Sequence, residues 1–351
     1  MSVRSLATLL LIYIAAACGG WVMTRIGAPL PWMIGPLIVT ALLYVSGLAT
    51  LVIPVKTRPA GQIIVAAQVG LFFSPAAFGK LIELSPLLVG MALATAVCAC
   101  LTAYVLARLS GMGMVPAFLS TIPTSPVEAA VIAEKLGLPH GPVIFAQTLR
   151  IASIVVLVPV ALYAVDGWPD RSSATASAPI QPLESLALFA AAAATALVFR
   201  MLRISNPFFL GALAASAAIT AAGVTLAPFP PVVLSMAQIL LGTWLGSTFR
   251  RSLFTSAGRL VGSIALSTLL FVLLSTACGL IAASLLGLGW ENLVLGAAPG
   301  GVTEMALTAK FLELDVALIT AFHLVRIFLI VPFIPALGRL MHRLEQRTPD
   351  R

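Results

Sequence analysis

The chain has 351 residues, 60% of them apolar and only 9% charged, with a mean hydropathy of +1.09 and a formal net charge of +8 at pH 7. A soluble domain is roughly 45–50% apolar and 25% charged, so water is excluded as the main solvent. The basic excess does not point to nucleic acid either. It gathers at the ends of apolar runs, in Lys56/Arg58, Arg200/Arg203, Arg250/Arg251 and the tail Arg339, Arg343, Arg347, Arg351, where cytoplasmic loops collect positive charge.

A bilayer core about 30 Å thick needs roughly 20 apolar residues per helix. Strands of a closed barrel would alternate with a polar lumen face, which these runs do not, so the spans are predicted to be helices. The first covers residues 5–24. Its basic start and small residues before Cys18 resemble a secretory signal, but a counterpart at 186–199 marks it as the first span. Further helices are predicted at 30–49, 60–78, 86–108 and 141–165, then at 185–203, 206–225, 234–250, 261–285 and 317–338. Cys18, Cys98, Cys100 and Cys278 lie within apolar runs with no CxxC spacing and read as small buried hydrophobes.

The two series are copies of one unit. A fixed offset of 176 residues aligns Pro31 with Pro207, Gly35 with Gly211, Gln62 with Gln238, Gly70 with Gly246, Phe73 with Phe249, Glu128 with Glu304, Arg150 with Arg326 and Pro159 with Pro335. The expected organisation is a first membrane repeat at 1–165, a linker at 166–183, a second membrane repeat at 184–342 and a basic tail at 343–351.

Between the fourth and fifth helix of each repeat lies a segment of a different kind. Residues 112–137 and 290–313 carry the interruptions Ile122-Pro-Thr-Ser-Pro126 and Ala298-Pro-Gly-Gly301, each followed by a short polar helix. If these segments enter and return, each repeat crosses five times and the halves are inverted. Setting aside Lys135, Arg150, Lys310 and Arg326, all sixteen other basic residues except Arg25, Lys80 and Arg171 then fall inside. The positive-inside tendency favours that arrangement, with both termini cytoplasmic in a bacterial inner membrane. The fold class expected is an all-α integral membrane protein of two inverted repeats, each with about five transmembrane helices and one interrupted or re-entrant helix.

Matched interruptions in inverted repeats point to a transporter's midplane site. Breaking a helix frees backbone groups that lipid cannot satisfy, so protein or a water-filled cavity must receive them. Pro123, Thr124, Ser125 and Pro299, Gly300, Gly301 form the expected half-helix ends, which attract an anionic group or a carboxylate. Glu128 and Glu304 stand one turn inside. Two roles are open to them: a coupling carboxylate, or the closing residue of a capping box with Ser125 as N-cap and Pro126 at the first helical position. Arg150 and Arg326, in the following helix, need anions or carbonyls; the glutamates are the expected partners, in a structural pair or a substrate anchor. One turn earlier the halves differ, with Gln147 in one and His323 in the other, which makes His323 either a titrating group or a hydrogen-bonded one. Gln62 and Gln238 are candidate site-lining amides, and Gly70 and Gly246 are expected to serve packing.

On Pro31-Trp-Met-Ile-Gly-Pro36, Gln238 to Gly246 and Gly296-Ala-Ala-Pro-Gly-Gly-Val-Thr-Glu-Met305, the chain resembles the membrane AbrB-like proteins over nearly its whole length. This family of bacterial proteins with an internal duplication is sometimes labelled ammonia monooxygenase. The resemblance implies a regulatory phenotype rather than DNA contact. A looser likeness, to cation/proton antiporters and bile-acid symporters, rests on the Pro-Gly-Gly break, from which the first repeat departs with Pro-Thr-Ser-Pro. An oxygenase centre needs several convergent ligands, and the chain has His140, His323 and His342 alone. No metal, no cofactor and no enzymatic activity are therefore expected. The expected partners are the lipid bilayer and a small-molecule or ion substrate, with a homodimer as a candidate assembly. The expected function is secondary transport of a small, anionic solute; the alternative is a membrane-embedded ligand sensor that influences gene expression.

Overall fold

The computed structural model describes residues 3–54, 57–124, 126–166, 181–249, 251 and 258–347. Ser125, Lys56, Arg171, Arg250 and most of the 166–183 linker lie outside the described residues, as does the end of the tail. The protein is all-α, and among the described residues there is no strand.

In chain order the helices are α1 (Val3–Arg25), α2 (Pro31–Val45), α3 (Arg58–Gly70), α4 (Pro75–Glu83), α5 (Ser85–Ser110), α6 (Met114–Thr121), α7 (Pro126–Lys135) and α8 (His140–Asp166). There follow α9 (Pro182–Met201), α10 (Pro207–Ala221), α11 (Pro231–Gly246), α12 (Gly258–Leu286), α13 (Trp290–Ala297), α14 (Val302–Phe311) and α15 (Val316–Ile330); a 3₁₀ turn at Val331–Phe333 leads into α16 (Ile334–Arg347). Among the described residues six helical stretches are long and apolar enough to cross a membrane, counting Val316–Met341 as one. The helices α2, α10 and α11 are apolar but shorter. At about 1.5 Å per residue, the 15 residues of α2 fall short of a full crossing. Large apolar side chains such as Leu10, Leu11, Leu266, Leu269 and Leu273 remain exposed on the long helices, as lipid-facing surfaces require.

One predicted element differs. The continuous helix expected at 60–78 stops at Gly70, and the chain turns by 85° into α4. The new helix has its own start, because Ser74 Oγ accepts the Ala77 N–H at 3.2 Å and Pro75 occupies a position that needs no donor. At the far end Lys80 pairs with Asp315 at 2.6 Å.

The chain forms two compact units, and each draws on both repeats: Met1–Glu83, Pro159–Thr248 and Ala306–Leu318 in one, and Leu84–Val158, Phe249–Met305 and Ile319–Arg351 in the other. In the first unit α2 packs on α1 and α11, while α10 packs on α9 and α3. The third helix of each repeat therefore lies against the second helix of the other. Small residues permit this. An ideal Cβ on Gly246 would lie 2.5 Å from the Leu37 carbonyl oxygen and 2.9 Å from Thr40 Cβ, and one on Gly70 would run into Ser216, the residue equivalent to Thr40. The equivalence extends to the backbone. Leu30 (φ 43, ψ 52) and Asn206 (φ 49, ψ 52) both precede the proline that opens α2 or α10, in a left-handed conformation that is costly for leucine.

In the second unit the long helices α5 and α12 pack on each other, α6 lies against α5 and α13 against α12. Cys98 and Cys278 face each other across the α5–α12 contact with sulfurs 3.7 Å apart. The core gathers Phe118, Leu119, Ile122, Ala129, Ala133 and Phe271, which fixes the short helices beside the long pair.

Candidate functional site

Both interruptions fall where the sequence places them, within the second unit. The helix α6 ends at Thr121 because the residue before a proline is driven out of the helical region, and Ile122 accordingly adopts φ −58, ψ 134. Its counterpart Ala298, before Pro299, adopts φ −53, ψ 134. Each break strands the last carbonyls of a short helix in a buried setting: residues 122–124 and 298–300 are all buried. Unsatisfied, each would cost several kcal/mol in a membrane.

The donors come from the following long helix, in the same pattern twice. Gln147 Nε2 donates to the carbonyls of Leu119 at 2.6 Å and Ile122 at 2.9 Å. Arg150 donates from one terminal nitrogen to the Thr121 carbonyl and to that of Ile122 at 3.3 Å, and from the other to Gln147 Oε1 at 2.7 Å. In the second repeat His323 Nε2 meets the Leu295 carbonyl at 3.2 Å, and Arg326 donates to Ala298 at 2.9 Å and Gly300 at 2.9 Å. Arg326 also contacts His323 Nδ1 at 2.8 Å; since a guanidinium only donates, Nδ1 must accept, and the proton of a neutral ring then sits on Nε2, aimed at Leu295. Leu119 and Leu295, Ile122 and Ala298, Gln147 and His323 are all related by the 176-residue offset. Arg150 and Arg326 are each 3% exposed and His323 is fully buried.

The second half of each break is closed by a carboxylate. Glu128 is the third residue of α7 and accepts the Thr124 hydroxyl at 3.0 Å. Glu304 holds the same place in α14, and its carboxylate lies directly over Gly301: a Cβ there would collide with Oε2 and come within 3.0 Å of Cδ. The charges match the helix dipoles, with a guanidinium at the carbonyl end of α6 or α13 and a carboxylate at the amide end of α7 or α14. Positive and negative charge therefore sit on opposite sides of each interruption.

This corrects one expectation. Among the described residues the partners of Arg150 and Arg326 are carbonyls, Gln147 and His323, not the carboxylates of Glu128 and Glu304. The carbonyl end of a half-helix already carries the negative potential a guanidinium needs. Arg150 also sits 5.9 Å from the Phe271 ring centroid.

The remaining candidates belong to the first unit. Gln62 is buried and donates to Asn206 Oδ1 at 3.0 Å, tying α3 to the start of α10; Gln238 is half-buried on α11. Sequence reasoning missed Gln68, whose Oε1 accepts the Phe229 N–H at 2.9 Å, and Glu184, which accepts the Ala227 N–H at 2.7 Å. Among the described residues no group of three or more His, Cys, Asp or Glu is placed to hold a metal.

The family model for AbrB, described as "Transition state regulatory protein AbrB", matches residues 1–138 and again 49–342, in keeping with a duplicated domain. The chain belongs to the AbrB family. A relative within reach of full-length alignment, the uncharacterized protein YhjN of Bacillus subtilis (strain 168), is 26% identical over 364 residues, spanning 96% of this chain and 94% of that protein. With its several apolar helices the chain is a multi-helix membrane protein of this family, and both interruptions lie inside the matched region.

Proposed function

We propose that this AbrB-family protein is a secondary transporter of a small anionic solute, with its two repeats inverted and both termini cytoplasmic in the bacterial inner membrane. The observation that carries the reading is the pair of equivalent broken helices, each satisfied by its own arginine and carboxylate. A soluble-type core has no use for such breaks, whereas a transporter uses them to present backbone and charge to a passing ion. The division into two compact units, with both breaks in one, supplies separate bodies of the kind that alternating access requires. The reading is non-enzymatic and needs no cofactor.

Glu304 is the proposed coupling group, because its break retains the Pro-Gly-Gly form and leads into the helix that carries His323. Uptake and efflux in proteoliposomes, with and without a proton or sodium gradient, test the function. Glu304→Gln keeps the side chain's shape and removes its charge, so coupled flux should vanish while insertion persists. Normal flux with an unchanged pH profile would leave Glu304 as a cap alone. Cysteine accessibility labelling tests the topology: a cytoplasmic 166–183 linker would reverse it.

The family's description favours a second reading, in which the same breaks bind a ligand and signal to a partner without net transport. Ligand binding without flux would select it.

A further inference from the structure

The two breaks share a hydrogen-bond pattern but not their surroundings. Beside Arg150 lies a small recess whose polar lining is Thr102, Ser120, Thr121, Ser267, Thr268 and the guanidinium itself, with Ala146 as part of its wall. No carboxylate lines it. Arg150 Nε, buried, makes no hydrogen bond among the described residues, and neither does Arg326 Nε, so it is the lining and not the spare donor that differs between the repeats. At the equivalent place around Arg326 these five hydroxyls are replaced: Cys278, Gly296, Ala297, Met91 and Ala92 stand where the first repeat has Thr102, Ser120, Thr121, Ser267 and Thr268, and a single hydroxyl, Thr95, takes the place of Phe271. Ala146 becomes Phe322, whose ring lies directly on Gly296, where a Cβ would collide with it. One repeat therefore fills with an aromatic ring the space that the other lines with hydroxyls.

From this asymmetry we infer that the recess beside Arg150 is a binding site for a small monovalent anion, a halide or the carboxylate group of a larger solute. The site carries a fixed positive charge with one unused N–H donor, beside five hydroxyl side chains. A cation would be repelled. Hydroxyls such as those of Thr102 and Ser267, which donate to carbonyls of their own helix at 2.7 and 2.9 Å, can turn a proton toward an anion. Phe271, facing the same guanidinium, closes the site with a ring. The inference deepens the transport reading and rests on it for the anion's role, but binding itself does not depend on flux.

The test is an equilibrium measurement on the purified full-length chain in detergent, so its failure stays distinct from a failure of transport. Thermal unfolding is followed while sodium acetate or sodium chloride replaces the sodium salt of a bulky morpholine sulfonate at constant ionic strength; the reference anion carries no carboxylate and its ring is too large to enter. Acetate should raise the midpoint saturably, and an equal response to chloride would assign the site to a free halide as well as to a carboxylate. Thr268→Val keeps the shape and removes a hydroxyl, which should raise the half-saturating concentration about tenfold, as loss of one hydrogen bond to a charged group implies. Ala146→Phe, which copies the second repeat, should abolish the response. No saturable shift in the wild type would overturn the site, as would a Thr268→Val response identical to wild type. If Ala146→Phe does not fold, the Thr268→Val comparison decides.

Discussion

The first and second interruptions solve one physical problem with different residues. In both, a long helix supplies an arginine and a second polar side chain to the carbonyls left by a proline, and a glutamate closes the helix that follows. Yet Gln147 answers to His323, Thr124 to Gly300, and Ala146 to Phe322. What is retained is the set of satisfied backbone groups. What varies is how much room and polarity are left over, and the recess beside Arg150 is lined by hydroxyls at five positions where the second repeat has none.

The comparison breaks most severely if an arginine is dispensable. Arg150→Leu and Arg326→Leu each remove a buried guanidinium from the carbonyls of a broken helix, and each should cost about 3–5 kcal/mol, as loss of one member of a buried charged network does. Fluorescence-detected size exclusion should show little folded protein for either; a stable variant on one side only would end the claim that the breaks are equivalent. Gly301→Ala comes next. Its methyl group would displace the Glu304 carboxylate, and a loss of about 1–2 kcal/mol, the worth of a cap, is expected in thermal unfolding. Thr124→Gly makes the first break resemble the second; it removes the 3.0 Å bond to Glu128 and should cost about 1 kcal/mol. The smallest effect is expected from His323→Gln, which installs the first repeat's residue at an equivalent position and should change stability by about 0.5 kcal/mol or less. A much larger loss would show that the imidazole does something Gln147 does not.

Much of this was legible in the sequence. The offset of 176 residues, the breaks at Pro123 and Pro299 and the glutamates one turn beyond them all rest on Pro, Gly and charged residues, which stand out in an apolar chain. The partners of Arg150 and Arg326 were not legible, because they are carbonyls and every residue carries one. The bend after Gly70 lay hidden in the apolar stretch around Leu71-Phe-Phe73, where only Ser74-Pro75 signals a new start. Gln68 carried no repeat signal, since its counterpart is Trp244. The recess also escaped notice: its hydroxyls come from three parts of the chain, and Ala146 gives no sign of what it leaves empty until Phe322 is seen in the equivalent place.

The cross-packing of α3 on α10 and of α11 on α2 sets an order for biosynthesis. When the ribosome has released α1 to α4, the glycine surface of α3 has no neighbour, and it must wait in the bilayer until α10 is inserted more than a hundred residues later. The opening helices of the chain therefore complete their packing only once the second repeat's helices through α11 have been made. A nascent chain stopped before residue 207 exposes the Gly70 face to lipid, where membrane proteases and insertion chaperones can read it as unfinished.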